Sequence, residues 1–145
     1  MTMAIATKKP LEVKALLDGT EGWQYLDVRT VEEFAAGHPT GAWNAPIFLR
    51  GPMGMQPNPE FADVVKRRFD KSSRLVVGCA AGGRSLRACE ALVALGFTQL
   101  VNVEGGFGGA RDDSGRVTVP GWQACGLPVA TKAEPDHTWS ALRAR

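Results

Sequence analysis

The sequence predicts an α/β domain built on a mainly parallel sheet. Short strand-like runs alternate with helix-patterned segments along the chain, as a parallel sheet requires. The run Arg74–Gly78 is apolar without alternation, the pattern of a strand buried on both faces. The 145 residues are 44% hydrophobic and 22% charged, which is one domain's length and a globular composition. A chain this long buries a sizeable core without disulfide or metal staples. Internal repeats and low-complexity segments are absent from the sequence.

Each element has its own signal. Residues 11–17 carry a first helix pattern, and Gly19 stands as its stop. Residues 23–28 are strand-like. Thr30 and Glu33 have the spacing of a capping box, which opens a short helix through Ala36 that Gly37 ends. A short strand is expected over 42–45. Glycines and prolines mark 51–57 as loop. Asn58 as N-cap, Pro59 at the first helical position and Glu60 in the first turn start the next helix. Phe61, Val64, Val65, Arg68 and Phe69 share one face of it, with Arg68 the single polar member. A central strand over 74–78 is followed by a helix over 85–95, stopped by Gly96, and a strand over 99–103.

Residues 105–122 are glycine-rich, with a charged middle from Arg111 to Arg116, and read as a surface excursion. Residues 121–129 read as a last helical turn and a closing segment. From Thr131 the tail is expected to fray or pack loosely, so the domain is expected over 8–130 and the tail over 131–145.

Composition excludes several classes of function. A net charge of +2, from 17 basic and 15 acidic residues, argues against nucleic acid or an anionic membrane as partner. No apolar run reaches the length of a membrane span. The first ten residues place their charges after a short apolar stretch, where a secretory signal needs them before a longer one, so a cytoplasmic location is expected. Three cysteines form no framework spacing, which also fits a reducing compartment. With no C-x-x-C pair, and with His38 and His137 far apart, no metal site is expected.

The most informative junction follows the central strand. A six-residue loop, Cys79, Ala80, Ala81, Gly82, Gly83 and Arg84, joins it to the helix expected from Ser85. Such a loop can curl so that its N–H groups converge as an anion-binding nest, with the positive end of the helix at the same spot. A cysteine placed there is stabilised as thiolate. The carboxyl ends of parallel strands are also where such folds place ligands. Small neighbours leave the sulfur uncovered, and Arg84 supplies a cation for an anionic substrate. Attack by a thiolate on an electrophilic sulfur or phosphorus of an anion needs this combination. A buried cysteine in a plain turn is the rival reading. The joint occurrence of strand, small-residue loop, arginine and helix start favours the nucleophile.

The stretch from Cys79 to Ser85 resembles the active-site loop of the rhodanese (thiosulfate sulfurtransferase) homology domain. So do Leu26 to Phe34, followed by Gly37 to Pro46; Asn102 to Phe107, with its glycine pair after a strand; and Gly121-Trp122 to Val129 at the close. The resemblance spans about residues 10 to 130, and its four blocks keep the family's order, a more specific signal than any one block. It implies a five-stranded, mostly parallel sheet flanked by helices. It also implies a ping-pong reaction: Cys79 takes a sulfane sulfur from a small anionic donor such as thiosulfate, becomes a persulfide, and passes the sulfur to a thiol or cyanide acceptor. The amides of Ala80, Ala81, Gly82, Gly83, Arg84 and Ser85 would cradle the persulfide. Arg84 would bind the donor's anionic end. Neither a metal nor an organic cofactor is implied.

Loop length separates two reactions. Related phosphatases and arsenate reductases place five residues between cysteine and arginine, and here there are four, a tighter ring suited to one added sulfur. A sulfurtransferase is therefore the first expectation. The rivals are a non-catalytic persulfide carrier serving a sulfur-relay protein and a phosphatase-like or arsenate-reducing enzyme. The chain also departs from the family pattern. Many thiosulfate-using members carry basic residues after the cysteine, where this chain has Ala80 and Ala81. Pro39-Thr40 replace the usual apolar residue and proline, and the 108–120 excursion is longer than in minimal members.

Other residues are weighed the same way. Asp27 and Arg29 support the active-site region in the family, and a structural ion pair is favoured over substrate contact. Glu33 reads as the capping-box acid. His38 reads as a structural hydrogen-bonding residue. Leu86, Cys89, Leu92 and Val93 are expected on one core face. Cys125 is a weak candidate for a resolving thiol, and Arg87 reads as a solvated arginine. Trp23, Trp43 and Trp122 are expected in the core, while Trp139, in the polar tail, can dock onto the domain or onto another chain.

Overall fold

A computed structural model describes residues 5–144. In chain order the elements are β1 (Ile5–Lys8), α1 (Pro10–Asp18), β2 (Gln24–Asp27), α2 (Val31–Ala36), β3 (His38–Pro39) and β4 (Trp43–Asn44). Then come β5 (Phe48–Gly51), β6 (Gly54–Pro57), α3 (Phe61–Arg68), β7 (Arg74–Gly78), α4 (Gly83–Ala94) and β8 (Gln99–Val103). The chain closes with β9 (Ala110–Arg111), β10 (Val117–Val119), β11 (Val129–Ala130), a 3-10 turn over Pro135–His137 and α5 (Trp139–Arg143). Five strands form one sheet in the order β1-β8-β7-β2-β4. Every pairing in it is parallel, so the sheet is wholly rather than mostly parallel.

The two-residue period of the strands sorts the core into two layers. Leu26, Leu75, Val77 and Leu100 point to one face, where α3, α4 and α5 bury Phe61, Val64, Val65, Cys89, Leu92, Trp139 and Leu142. Tyr25, Val76, Val101 and Val103 point to the other face, against Val13 of α1, Phe34 of α2, Phe107 and Trp122. Burial on both faces explains the unbroken apolar run of β7. Among the described residues no helix is long and apolar enough to cross a membrane.

Several expectations change. β1 falls in a stretch that offers no strand signal, because Thr7 and Lys8 are polar; its pairing with β8, from Ile5↔Leu100 to Lys8↔Val103, creates it. The 51–57 segment is not plain loop. It belongs to the β5–β6 hairpin, whose turn holds Pro52 and Met53 and whose register sets Arg50 opposite Met55. The N-cap expected at Asn58 forms one turn early: Asn58 Oδ1 accepts from Glu60 N–H at 3.0 Å, and the helix itself begins at Phe61. The 105–122 excursion contains a small hairpin, β9–β10, whose turn Asp112 organises by accepting from Ser114 and Arg116 N–H. Residues 121–126 make a turn rather than a helix end, with Cys125 N–H donating to Gly121 O at 3.1 Å. The closing segment then pairs β11 with β3.

On α4 the buried face is Ser85, Ala88, Cys89 and Leu92, and Leu86 and Val93 of the expected face are exposed. One i, i+3, i+4, i+7 row can face the sheet, and α4 turns its smaller residues inward there.

The tail does not fray. Thr138 Oγ1 accepts from Ala141 N–H at 3.1 Å and caps α5, and Trp139, 6% exposed, docks onto its own domain's core. His137 stacks on Trp43 at 3.5 Å, with Arg68 over the same ring at 4.1 Å. The polar member of the α3 face is thus an aromatic partner. Trp139→Ala is expected to destabilise the protein by about 3 kcal/mol, the usual size for a buried tryptophan. Urea unfolding reads this, and an unmoved midpoint would show that the tail adds nothing to the core.

Candidate active site

Because the strands are parallel, the segments leaving Asp27, Asn44, Gly78 and Val103 meet at one edge of the sheet. Cys79 is the first residue beyond β7. Its Sγ accepts the N–H of Gly82 at 3.0 Å and lies 3.4 Å from Ser85 Oγ. Gly82 has φ +121°, which suits glycine, and this turn aims its N–H back at the sulfur. The loop is shorter than expected. Gly82 acts as the N-cap of α4 and Gly83 begins the helix, so Arg84 and Ser85 lie in its first turn. Glycine is tolerated at an N-cap, which is why two residues that read as loop formers start the helix instead.

Ser85 is also within reach of Gly82 O at 3.1 Å and Asn102 Oδ1 at 2.5 Å. A hydroxyl has one proton and two lone pairs, so Ser85 can take the S–H of a thiol or give its proton to a thiolate. Asn102 comes from β8, opposite Val77, and is buried. Its signal in the sequence is a polar side chain interrupting the apolar run from Leu100 to Val103.

The sulfur is not uncovered as expected. Cys79 is 2% exposed, while Ala81 and Gly83 on the rim are open to solvent. The glycine-rich segment causes this. Phe107 N–H donates to Cys79 O at 2.7 Å and Gly108 N–H to Ala80 O at 2.8 Å. Gly106, at φ +53°, lies so close that a Cβ there would collide with Cys79 O and stand 2.8 Å from the Ala80 carbonyl carbon. On the other side of the strand end, a Cβ at Gly78 would overlap the Tyr25 hydroxyl. Burial first, then Asp27, pushes that hydroxyl's pKa well above its ordinary value.

Arg84 faces Glu33. Its two terminal nitrogens donate to the carboxylate at 2.7 and 3.0 Å. The capping box forms as expected: Glu33 N–H donates to Thr30 Oγ1, and Glu33 Oε1 accepts from Thr30 N–H. Glu33 therefore holds both the helix end and the loop arginine. The hydrogen bonds from Arg84, more than those from Thr30, hold its carboxyl at about 2 against an ordinary 4.5, although partial burial pushes the other way. The same bond raises the pKa of Arg84.

Asp27 and Arg29 form a buried pair at 2.8 Å. Arg29 also donates to Gly37 O at 2.7 Å and stands 4.3 Å from the Phe107 ring centre. The pair thus acts on the cysteine loop through Phe107. His38 is buried, with Nδ1 2.8 Å from Phe34 O. Cys89 sits in the core, where burial pushes its thiol up to about 12. Cys125 lines a separate cavity with Pro10, Leu11, Val119 and Pro120. Arg87 lies 6.0 Å from the Phe48 ring centre. Among the described residues no group of three or more His, Cys, Asp or Glu side chains is placed to hold a metal ion.

Two outcomes follow from this geometry. Gly106→Ala adds a Cβ against the Cys79 carbonyl at a positive φ, and is expected to cost about 2 kcal/mol or more in urea unfolding. An unchanged midpoint would show that the close approach is dispensable. Glu33 has a folded pKa below its unfolded one, so its contribution is present above about 4.5 and is lost as pH falls toward 2. The stability gap between wild type and Glu33→Gln should close across that window in acid titrations followed by circular dichroism. A gap independent of pH would show that the Arg84 pair is not the cause.

Known proteins place this geometry in context. The model of the rhodanese-like domain matches residues 9–112. Thiosulfate sulfurtransferase 16, chloroplastic, from Arabidopsis thaliana is 46% identical over 86 residues, 59% of this chain and 72% of that one. Protein HIGH ARSENIC CONTENT 1, mitochondrial, from the same plant is 42% identical over 86 residues, again 59% of this chain but 51% of that one. The crystal structure of Rv0390 from M. tuberculosis superposes with a TM-score of 0.73 at 25% identity, covering 88% of this chain and 98% of that one. With the fold, the ordered sequence blocks and the family match in agreement, the chain belongs to the rhodanese-like domain family.

Proposed function

We propose that the protein is a sulfurtransferase that carries sulfane sulfur as a persulfide on Cys79. Its family includes relatives named thiosulfate sulfurtransferase, which supports sulfur transfer at family level. The observation that carries the reading is the setting of Cys79 Sγ, 3.0 Å from the Gly82 N–H at the start of α4 and within reach of the Ser85 hydroxyl. An N–H and a hydroxyl at a helix N-terminus favour negative charge on the sulfur or on a sulfur bound to it. Three unpaired cysteines suit a reducing compartment.

In the first step the Cys79 thiolate attacks the outer sulfur of thiosulfate. The S–S bond of the donor breaks, its electron pair leaves with sulfite, and the loop holds a persulfide. In the second step an acceptor thiolate or cyanide attacks the outer persulfide sulfur, and the electron pair of the broken bond returns to Sγ. Ser85 turns its proton toward the sulfur when the charge is there and toward Asn102 when it is not.

An oxyanion-reducing activity draws on the relative named for arsenic content. The four-residue spacing from Cys79 to Arg84 and the engagement of Arg84 by Glu33 favour sulfur instead, because a phosphate-sized anion needs a wider ring with a free arginine. Intact mass after incubation with thiosulfate tests the reading. One sulfur atom should be gained, lost on adding a thiol or cyanide, and never gained by Cys79→Ala. No adduct from any sulfane donor would refute it, and an adduct that never turns over would make the protein a carrier.

A further inference from the structure

The β5–β6 hairpin stands at the same sheet edge as Cys79. Ile47 N–H donates to Val28 O at 3.1 Å, and Asn58 closes the base of the hairpin by donating its N–H to Ile47 O at 3.0 Å. Arg50 and Met55 are direct cross-strand partners, so their side chains share one face of the hairpin. With Thr30 and Glu33 they line a cavity of about 260 Å³.

The charges in this cavity are not balanced. Glu33 is matched by Arg84 through two hydrogen bonds. Arg50 is exposed and forms no ion pair with any described carboxylate. The Glu33–Arg84 pair is neutral as a unit, which leaves Arg50 as the net positive charge of the cavity. Ala80 and Ala81, the residues directly after Cys79, are neutral and add no further charge.

Position then constrains the ligand. The residues that line the cavity lie outside the cysteine loop, and the Glu33–Arg84 pair joins the loop to it. An oxyanion held by Arg50 is therefore set apart from the sulfur at Cys79. Thiosulfate carries its oxygens only two bonds from its transferred sulfur, which gives it a short reach. An organic thiol with a carboxylate further along its carbon chain has the longer reach that two separate positions call for, and the Met55 thioether offers that chain a polarisable, adaptable contact.

We propose that Arg50 is a specificity-determining residue: it binds the carboxylate of an organic thiol acceptor whose sulfur discharges the Cys79 persulfide. This rests on the sulfur-transfer reading above. The acceptor's thiol proton goes to the buffer, and its thiolate attacks the outer persulfide sulfur. The bond to Cys79 Sγ breaks and leaves its electron pair there, and the product is the acceptor's persulfide. No outside oxidant or reductant enters the step.

The test is single-turnover discharge of persulfide-loaded protein by mercaptosuccinate and by neutral mercaptoethanol. Arg50→Gln should lower the rate with mercaptosuccinate about tenfold relative to the rate with mercaptoethanol, the scale of one charge-assisted contact near water. Arg50→Lys should restore part of the preference, and salt should shrink it in the wild type but not in Arg50→Gln. An unchanged preference in Arg50→Gln would overturn the assignment. If the wild type takes up no sulfur, the sulfur-transfer reading falls first, and Arg50 is then judged by binding alone. Cys79→Ala titrated with succinate should show saturable NMR shifts at Thr30, Arg50 and Met55 that Arg50→Gln abolishes. The absence of such shifts would overturn the anion site independently of any chemistry.

Discussion

The buried ion pair between Asp27 and Arg29 joins nearly every segment at the working edge of the sheet. Asp27 ends β2 and also accepts from the Arg29 main chain at 3.0 Å. Arg29 reaches Gly37 O at the end of α2 and lies over Phe107 of the glycine-rich segment. Asn44, at the end of β4, donates to Asp27 O and Arg29 O. Two charges in so dry a place are costly to desolvate, and the cost is met only because each has several hydrogen-bonding partners. The pair therefore ties the end of α2 to Phe107, the main-chain carbonyls of the same two residues hold Asn44 of β4, and the Phe107 amide in turn holds the carbonyl of Cys79.

Above that foundation, the cysteine loop is shaped mostly by backbone. Main-chain bonds from Phe107 and Gly108 draw its carbonyls down, and Gly82 N–H turns up to the sulfur. This demands glycine at Gly106 because two backbones nearly touch there. The side chains divide the remaining work. Ser85 and Asn102 set the polarity beneath the sulfur. Glu33 pairs with Arg84 through two hydrogen bonds, while Arg50 stands on the neighbouring hairpin.

Local features of this design are readable from the chain. The Thr30–Glu33 capping box forms as its spacing implies, and the α3 face buries Phe61, Val64, Val65 and Phe69. Features that join distant segments are not. The Glu33–Arg84 pair spans 51 residues, and no spacing rule announces it. The polar tail around Trp139 leaves open whether it docks onto its own domain or another chain, and α5 turns it into the core beside α3. Residues 51–57 carry loop residues because a tight hairpin turn needs them, so the same glycine and proline signal fits a loop and a hairpin alike.

By itself the sequence determined the α/β class, the strand–cysteine–helix junction and the four-residue spacing to Arg84, because these depend on period, small residues and short-range order. Tertiary structure alone decided that the sheet is wholly parallel, that Cys79 is buried rather than open to solvent, and that Arg84 is engaged by Glu33 while Arg50 forms no ion pair with a described carboxylate. These depend on which distant backbones approach and which charges meet. Such contacts are set by packing across the sheet, and no local pattern encodes them.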